Sequence, residues 1–339
     1  MLSRYRATGA DLPFADPCGA HGVAMEGYFW RLTDERARRT IIAMCAINRD
    51  ADGRAWAFVG LAAQPGGFAR YAVVPSGGAS PRGLGLWAGD GILRADAEHL
   101  HIDLGSDAML RVRLDGAVGW PRPQAYGALG VAHAIPALGQ YWHPHGLGAD
   151  ATGVAVLGGV RVALAGARVY AEKNWSHSGF PDTWWWGQAH SFVDRADVCA
   201  AFAGGDVRVG GVPLSATAVV VRIGGRIVRF GNPLLAPVRA RIDADRWTLR
   251  GTSARYSVEI EGHAGAGEPH VLPIPLPAQR THVPGSLQHL DASMRVVVRR
   301  HGRVLFAGDS TLAGLEHGDR ARAEAQLRAQ GVDGLAFAA

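Results

Sequence analysis

The chain from Tyr170 to His190 reads Tyr-Ala-Glu-Lys-Asn-Trp-Ser-His-Ser-Gly-Phe-Pro-Asp-Thr-Trp-Trp-Trp-Gly-Gln-Ala-His, and it holds four of the ten tryptophans. If its two ends are extended, the two-residue period of a strand puts Glu172 and Asn174 on one face, opposite Lys173 and Trp175. The same period groups Trp184, Trp186, Gln188 and His190 against Trp185, Gly187 and Ala189. An aromatic and amide-lined face of this kind suits a ligand with an apolar body and a polar head, although large aromatics also fill cores. A carboxylic acid among tryptophans has its charged form desolvated, so its pKa rises and it can hold a proton near neutral pH and donate it. The alternative for Glu172 is a surface or barrel-end pair with the adjacent Lys173.

A second polar cluster, His143-Pro144-His145, follows Gln140, Tyr141 and Trp142. Histidines at i and i+2 face the same way, but a zinc site needs at least three protein ligands and no third stands at a suggestive spacing. Pro144 also argues against a regular central strand. The expectation is no metal, with His143 or His145 a hydrogen-bond partner of a ligand oxygen or a base that accepts its proton; an exposed loop histidine is the alternative. Gly83-Leu84-Gly85 and Gly89 lack the spacing of a dinucleotide site, and P-loop, H-E-x-x-H and G-x-S-x-G motifs are missing.

The elements that must position these residues are strands. Short apolar alternations are closed again and again by turn residues, which is the pattern of antiparallel hairpins. Asn48 to Gly53, Pro65-Gly66-Gly67, Asp115-Gly116, Gly224-Gly225 and His301-Gly302 are such turns. Only Asp319 to Gln330 reads as a helix, capped by Asp319 and stopped by Gly331. Gly308 to Thr311 reads as a strand end, and Pro269 to Pro277 as an extended connector across a barrel end. Each half has enough strands to close on itself, and closure removes exposed edges. The predicted fold is all-β: two up-and-down antiparallel barrels packed together, residues 1–170 and 171–339, with one short C-terminal helix. The join falls near Gly158 to Tyr170, and an apolar ligand would sit in a barrel mouth or between the barrels. A single large sandwich is the structural alternative.

Composition narrows the function. With 339 residues, 48% hydrophobic and 19% charged, the chain can bury a real core and is not disordered. The formal charge of +5 comes from arginines spread singly along the chain, which argues against a nucleic-acid surface. Of 35 basic residues only Lys173 is a lysine. Cys18, Cys45 and Cys199 fit neither a disulfide framework nor a zinc knuckle, so a reducing compartment is expected. The first eleven residues lack the apolar core of a signal peptide, and no stretch approaches ~18 uninterrupted apolar residues. A cytoplasmic protein is the expectation.

Glu172-Lys173-Asn174-Trp175, then Phe180-Pro181, then Trp184, Trp186 and Gln188, resemble the signature segment of the tocopherol cyclase family. The opening Glu26-Gly27-Tyr28-Phe29-Trp30-Arg31-Leu32 is similar to that family's first strand, and Leu312-Ala313-Gly314-Leu315-Glu316-His317-Gly318 to its closing segment. The match runs colinearly along nearly the whole chain; Ser176-His177-Ser178 departs from a more glycine-rich link. The resemblance implies a lipocalin-like, two-barrel cyclase that closes a chromanol-type ring on a prenylated hydroquinone without metal or redox cofactor. An enzyme acid protonates the alkene and the phenolic oxygen captures the cation. It implies Glu172 as the acid with Glu26 as the alternative, and Trp175, Trp184 and Trp186 beside the cation. Asn174 or Gln188 would orient the phenol, and His143 or His145 would meet its oxygen. A non-catalytic carrier of an apolar isoprenoid, or an isoprenoid hydratase or terpenoid cyclase, are the alternatives. The substrate would be an apolar small molecule with an isoprenoid tail, so peripheral membrane contact through a barrel rim is expected, aided by the arginines. The lone Lys173, inside the signature, is expected to need its compact charge.

Overall fold

The computed structural model describes residues 2–16, 18–80, 85–121, 127–136, 138–209 and 212–331. Gly83 and Leu84 lie outside them. Twelve strands form a first antiparallel sheet: β1 (Met25–Asp34), β2 (Arg39–Arg49), β3 (Ala55–Gln64), β4 (Phe68–Val74), β5 (Gly77–Ser80), β6 (Gly85–Ala88), β7 (Leu93–Ala95), β8 (His99–Asp103), β9 (Ala108–Asp115), β10 (Gln140–Gly146), β11 (Asp150–Leu157) and β12 (Val160–Ser176). Ten form a second: β13 (Thr183–Ala189), β14 (Val198–Val209), β15 (Val212–Ile223), β16 (Arg226–Phe230), β17 (Val238–Ile242), β18 (Arg246–Thr252), β19 (Tyr256–His263), β20 (His270–Leu276), β21 (Thr281–Arg300) and β22 (Arg303–Asp319).

The first sheet runs in the order β4-β3-β2-β1-β12-β11-β9-β8-β7-β6-β5, with β10 also paired to β12. It curls until its ends meet: a Cβ at Gly77 on β5 would lie 2.7 Å from Ile47 of β2 and 2.8 Å from Ala57 of β3. Only glycine permits that approach. The two-residue period then fills the interior with Tyr28, Trp30 and Leu32 of β1, Ile41, Ala43 and Cys45 of β2, and Ala57, Val59 and Leu61 of β3. The second sheet, β16-β15-β14-β13-β22-β21-β19-β18-β17 with β20 on β21, curls likewise around Phe202, Val219, Trp247, Val296 and Leu315. The fold is thus two lipocalin-like barrels, as the hairpin pattern predicted.

The outer faces where the barrels meet are apolar too. Phe29 of β1, Trp142 of β10 and Tyr170 of β12 pack there on Trp186 of β13, Cys199 and Ala201 of β14 and Val220 of β15. Burying both faces of β1, β12 and β13 fixes the barrels against each other.

Four details differ from expectation. Gly308 to Thr311 is no strand end but lies inside β22, which runs on to Asp319. The proline-rich segment is the strand β20, which among the described residues pairs with β21 alone. Two short helices, α1 (Leu2–Ala7) and α2 (Cys18–His21), precede the barrels, while α3 (Arg320–Ala329) is capped as predicted by the Asp319 side chain accepting from the Arg322 amide. Position 170 lies within β12, which belongs to the first sheet as far as Ser176, so the chain passes between sheets over residues 177–182. All three cysteines are free, and among the described residues no helix is long and apolar enough to cross a membrane.

Candidate active site

Strand β12 has a different chemistry on each face. Its register against β1 pairs Phe29 with Glu172 and Tyr28 with Lys173. Alternation then sends Tyr170 and Glu172 outward between the barrels, and Ala171 and Lys173 into the first barrel. The signature segment therefore serves two places.

Between the barrels, Glu172 is 5% exposed and its Oε2 accepts three hydrogen bonds: from the Tyr170 hydroxyl at 2.5 Å, Trp142 Nε1 at 2.7 Å and Trp186 Nε1 at 2.9 Å. Oε1 accepts none among the described residues. Burial pushes the carboxyl up to about 7, against the pull of the three donors, and the charge of Glu316 adds to the rise. Because Oε2 is occupied by donors, the acid proton belongs on Oε1. After that proton leaves, the three donors stabilise the carboxylate left behind.

Glu316 on β22 stands directly across from Trp186 on β13. It accepts from Trp184 Nε1 at 2.7 Å and from Gln288 Nε2 at 3.1 Å, and burial raises it to about 7 as well. Two carboxyls of raised pKa thus flank one indole. Phe29 meets the Trp186 ring edge-on at 5.3 Å between centroids, so the surround is aromatic.

Gln188 shares that face, but its amide is engaged, accepting from Arg31 at 3.2 Å and donating to Cys199 Sγ at 3.6 Å. Asn174 accepts from Gln140 at 3.4 Å and lies over Gly27, where a Cβ would come within 3.0 Å of it. His190, buried, meets Thr33 at 2.8 Å.

Inside the first barrel, Lys173 is fully buried and donates to Glu26 Oε1 at 3.3 Å. Burial drives the Glu26 carboxyl up and the Lys173 ammonium down, and each charge opposes the other's shift. The ammonium also sits 5.1 Å from the Trp175 ring centroid. Trp175 stacks on Tyr141 at 5.3 Å, on the opposite face of β12 from Glu172. His143 and His145 belong to this interior, with ring centroids 6.5 Å apart, and burial lowers both, His145 to about 3. Among the described residues no group of three or more His, Cys, Asp or Glu side chains is placed to hold a metal.

The structure brings Glu172, Trp186, Trp184 and Gln188 to one inter-barrel face, with Asn174 at its margin. It puts Glu26, Lys173, Trp175, His143 and His145 elsewhere. Sequence reasoning passed over Tyr170, Trp142 and Glu316. Tyr170 is two residues before Glu172 and so on its face; Glu316 lies in the closing segment already singled out; Trp142 needed the pairing of β10 with β12, which no local pattern reveals.

The closed antiparallel barrel pair places the chain among lipocalin-like two-barrel folds. The sequence profile of the tocopherol cyclase-like family matches residues 91–319, and the chain belongs to that family. No match to a curated protein sequence is found. Among solved structures, CghA with Sch210972 is similar at 14% identity and a TM-score of 0.56, covering 88% of each chain. Kievitone hydratase from Nectria haematococca follows at 10% identity and TM-score 0.47, over 92% of this chain and 94% of that one. A protein from Nitrosomonas europaea assigned to AttH stands at 13% and 0.48, over 88% and 93%. The likeness to CghA supports the two-barrel fold.

Proposed function

We propose that this protein is a cyclase that protonates an isoprenoid alkene and closes a chromanol-type ring on a prenylated hydroquinone, with Glu172 as the acid. The observation that carries the reading is the Glu172 carboxyl: one oxygen holds three donors and the other is left to carry a proton between aromatic walls. The Oε1 proton passes to the alkene carbon that leaves a tertiary cation. The indole faces of Trp186 and Trp142 stabilise that cation as the charge forms. The phenolic oxygen attacks it, and the phenolic proton returns to Glu172, so no atoms are gained or lost. The aromatic packing of the seam excludes water that would otherwise capture the cation.

Family membership and a buried carboxyl favour an enzyme over a carrier, since a carrier has no use for an acid held protonated at the cost of burial. Incubation with a panel of prenylated hydroquinones is expected to give products of unchanged mass, and Glu172→Gln is expected to lose turnover by ~10²-fold or more, the scale of general acid catalysis. Undiminished turnover in that variant removes Glu172 from the acid role. A product heavier by one water makes the protein a hydratase, and binding without conversion across the panel makes it a carrier.

A further inference from the structure

A cavity lies on the other side of β12 from the acid. It occupies about 620 Å³ at the mouth of the first barrel, within the ~300–1,000 Å³ of small-molecule sites. Val169 and Ala171 line it, whereas their neighbours Tyr170 and Glu172 face the inter-barrel seam. One strand therefore lines the cavity with one face and carries Glu172 on the other. Phe14 folds over the barrel against Tyr28 and Trp30, with ring centroids 5.9 and 6.5 Å away, and with Leu12 and Pro13 makes an apolar wall.

The polar groups of this cavity are arranged by depth. His145 lines it and is 6% exposed. Burial and the Lys173 charge keep this imidazole uncharged, so it offers a neutral donor and acceptor. The chain that flanks the cavity elsewhere brings Asp96 and Glu98, whose charges disfavour an anion at the entrance.

We propose that the first barrel holds its own ligand, an apolar molecule with a single uncharged hydroxyl or carbonyl head that hydrogen-bonds His145, separately from the chemistry between the barrels. A fatty-acid carboxylate would bring a charge to an acidic entrance and a neutral histidine, so charge sets the selectivity.

The test is binding of a neutral fluorescent probe, N-phenyl-1-naphthylamine, to the full chain, with displacement by farnesol, by farnesane, which has the same carbon skeleton without the hydroxyl, and by palmitate. Farnesol is expected to displace the probe at least tenfold more tightly than either competitor. Ala149→Phe, which fills the cavity on the face of the barrel wall opposite to Glu172, is expected to weaken probe binding at least tenfold with ring closure unchanged. His145→Leu is expected to keep the probe and lose the preference for farnesol over farnesane. Probe binding that survives Ala149→Phe and is lost on Trp186→Ala moves the ligand to the seam and overturns the proposal, as does palmitate binding as tightly as farnesol. If Ala149→Phe fails to fold, the His145→Leu comparison decides alone. Because these readouts are of binding, they stand or fall independently of turnover at Glu172.

Discussion

At the scale of single residues, the Glu172 carboxyl is balanced between burial, which raises its pKa, and three donors, which lower it. If the acid form is the active one, activity is full below about pH 7 and falls about tenfold per unit above it. Tyr170→Phe removes a donor to the anion, so the limb moves to higher pH; kcat below the limb drops by about 10- to 100-fold, the worth of one hydrogen bond to a charged group. Glu316→Gln acts in the opposite sense, because its charge raises Glu172: the limb moves to lower pH. A pH–rate profile of each variant separates the two, and shifts of the same sign in both would show that these contacts do not set the acid. Lys173, the lone lysine, is fully buried against Glu26 and Trp175, where a longer planar guanidinium does not replace a point-like ammonium without rearrangement. Lys173→Met leaves Glu26 buried and unpaired, a loss of about 3–5 kcal/mol in denaturant unfolding. Lys173→Arg falls between that and Arg250→Lys, an exposed change worth less than about 0.5 kcal/mol.

At the scale of elements, the turns were legible because turn geometry demands particular residues. Pro65-Gly66-Gly67 before β4 and His301-Gly302 between β21 and β22 stand where the sequence put them. The prolines of β20 misled for an equally physical reason. Pro273 and Pro275 are two apart, so their missing amides fall on one side of the strand, and among the described residues β20 needs only one side, since it pairs with β21 alone. Two-residue alternation also sorted Trp184 and Trp186 from Trp185 correctly. It did not reveal which face points into a barrel and which toward the neighbouring barrel, since both are apolar here. That ambiguity split Glu172 from Glu26 and His145, and hid Glu316. The packing of β13 on β22 shows how tightly the seam is built: Trp184 lies across Gly318, where a Cβ would stand 1.7 Å from the indole. Gly318→Ala must displace that ring and its bond to Glu316, costing about 1–3 kcal/mol by overpacking. Thermal unfolding measures it, and a double variant with Trp184→Ala should cost less than the sum of the two single changes.

At the scale of the molecule, the site exists only while the two barrels keep their relative placement, and Arg31 makes the largest set of side-chain bonds across the seam among the described residues. Arg31 of β1 is fully buried, yet no carboxylate is among its partners in the described residues. It donates to Thr33 and Thr40 of its own barrel, and to Gln188 and the carbonyls of Leu290 and Leu312 in the other, at 2.9 to 3.3 Å. Burial lowers its pKa to about 9, which still leaves it charged at neutral pH. A delocalised cation shared among neutral acceptors of both barrels acts as a tie whose geometry specifies one docking. Arg31→Leu would leave two carbonyls and the Gln188 oxygen short of donors inside the seam, at about 1–3 kcal/mol for each group that water cannot reach. The expected result is a loss of about 3 kcal/mol or more, with one calorimetric transition expected for the native chain and two for the variant as the barrels cease to unfold together. Ring closure would fall in parallel, because Glu172 and Tyr170 come from one barrel and Trp186 and Glu316 from the other. An unchanged single transition in Arg31→Leu would mean that the aromatic packing of Phe29, Tyr170 and Trp186 holds the seam without the tie.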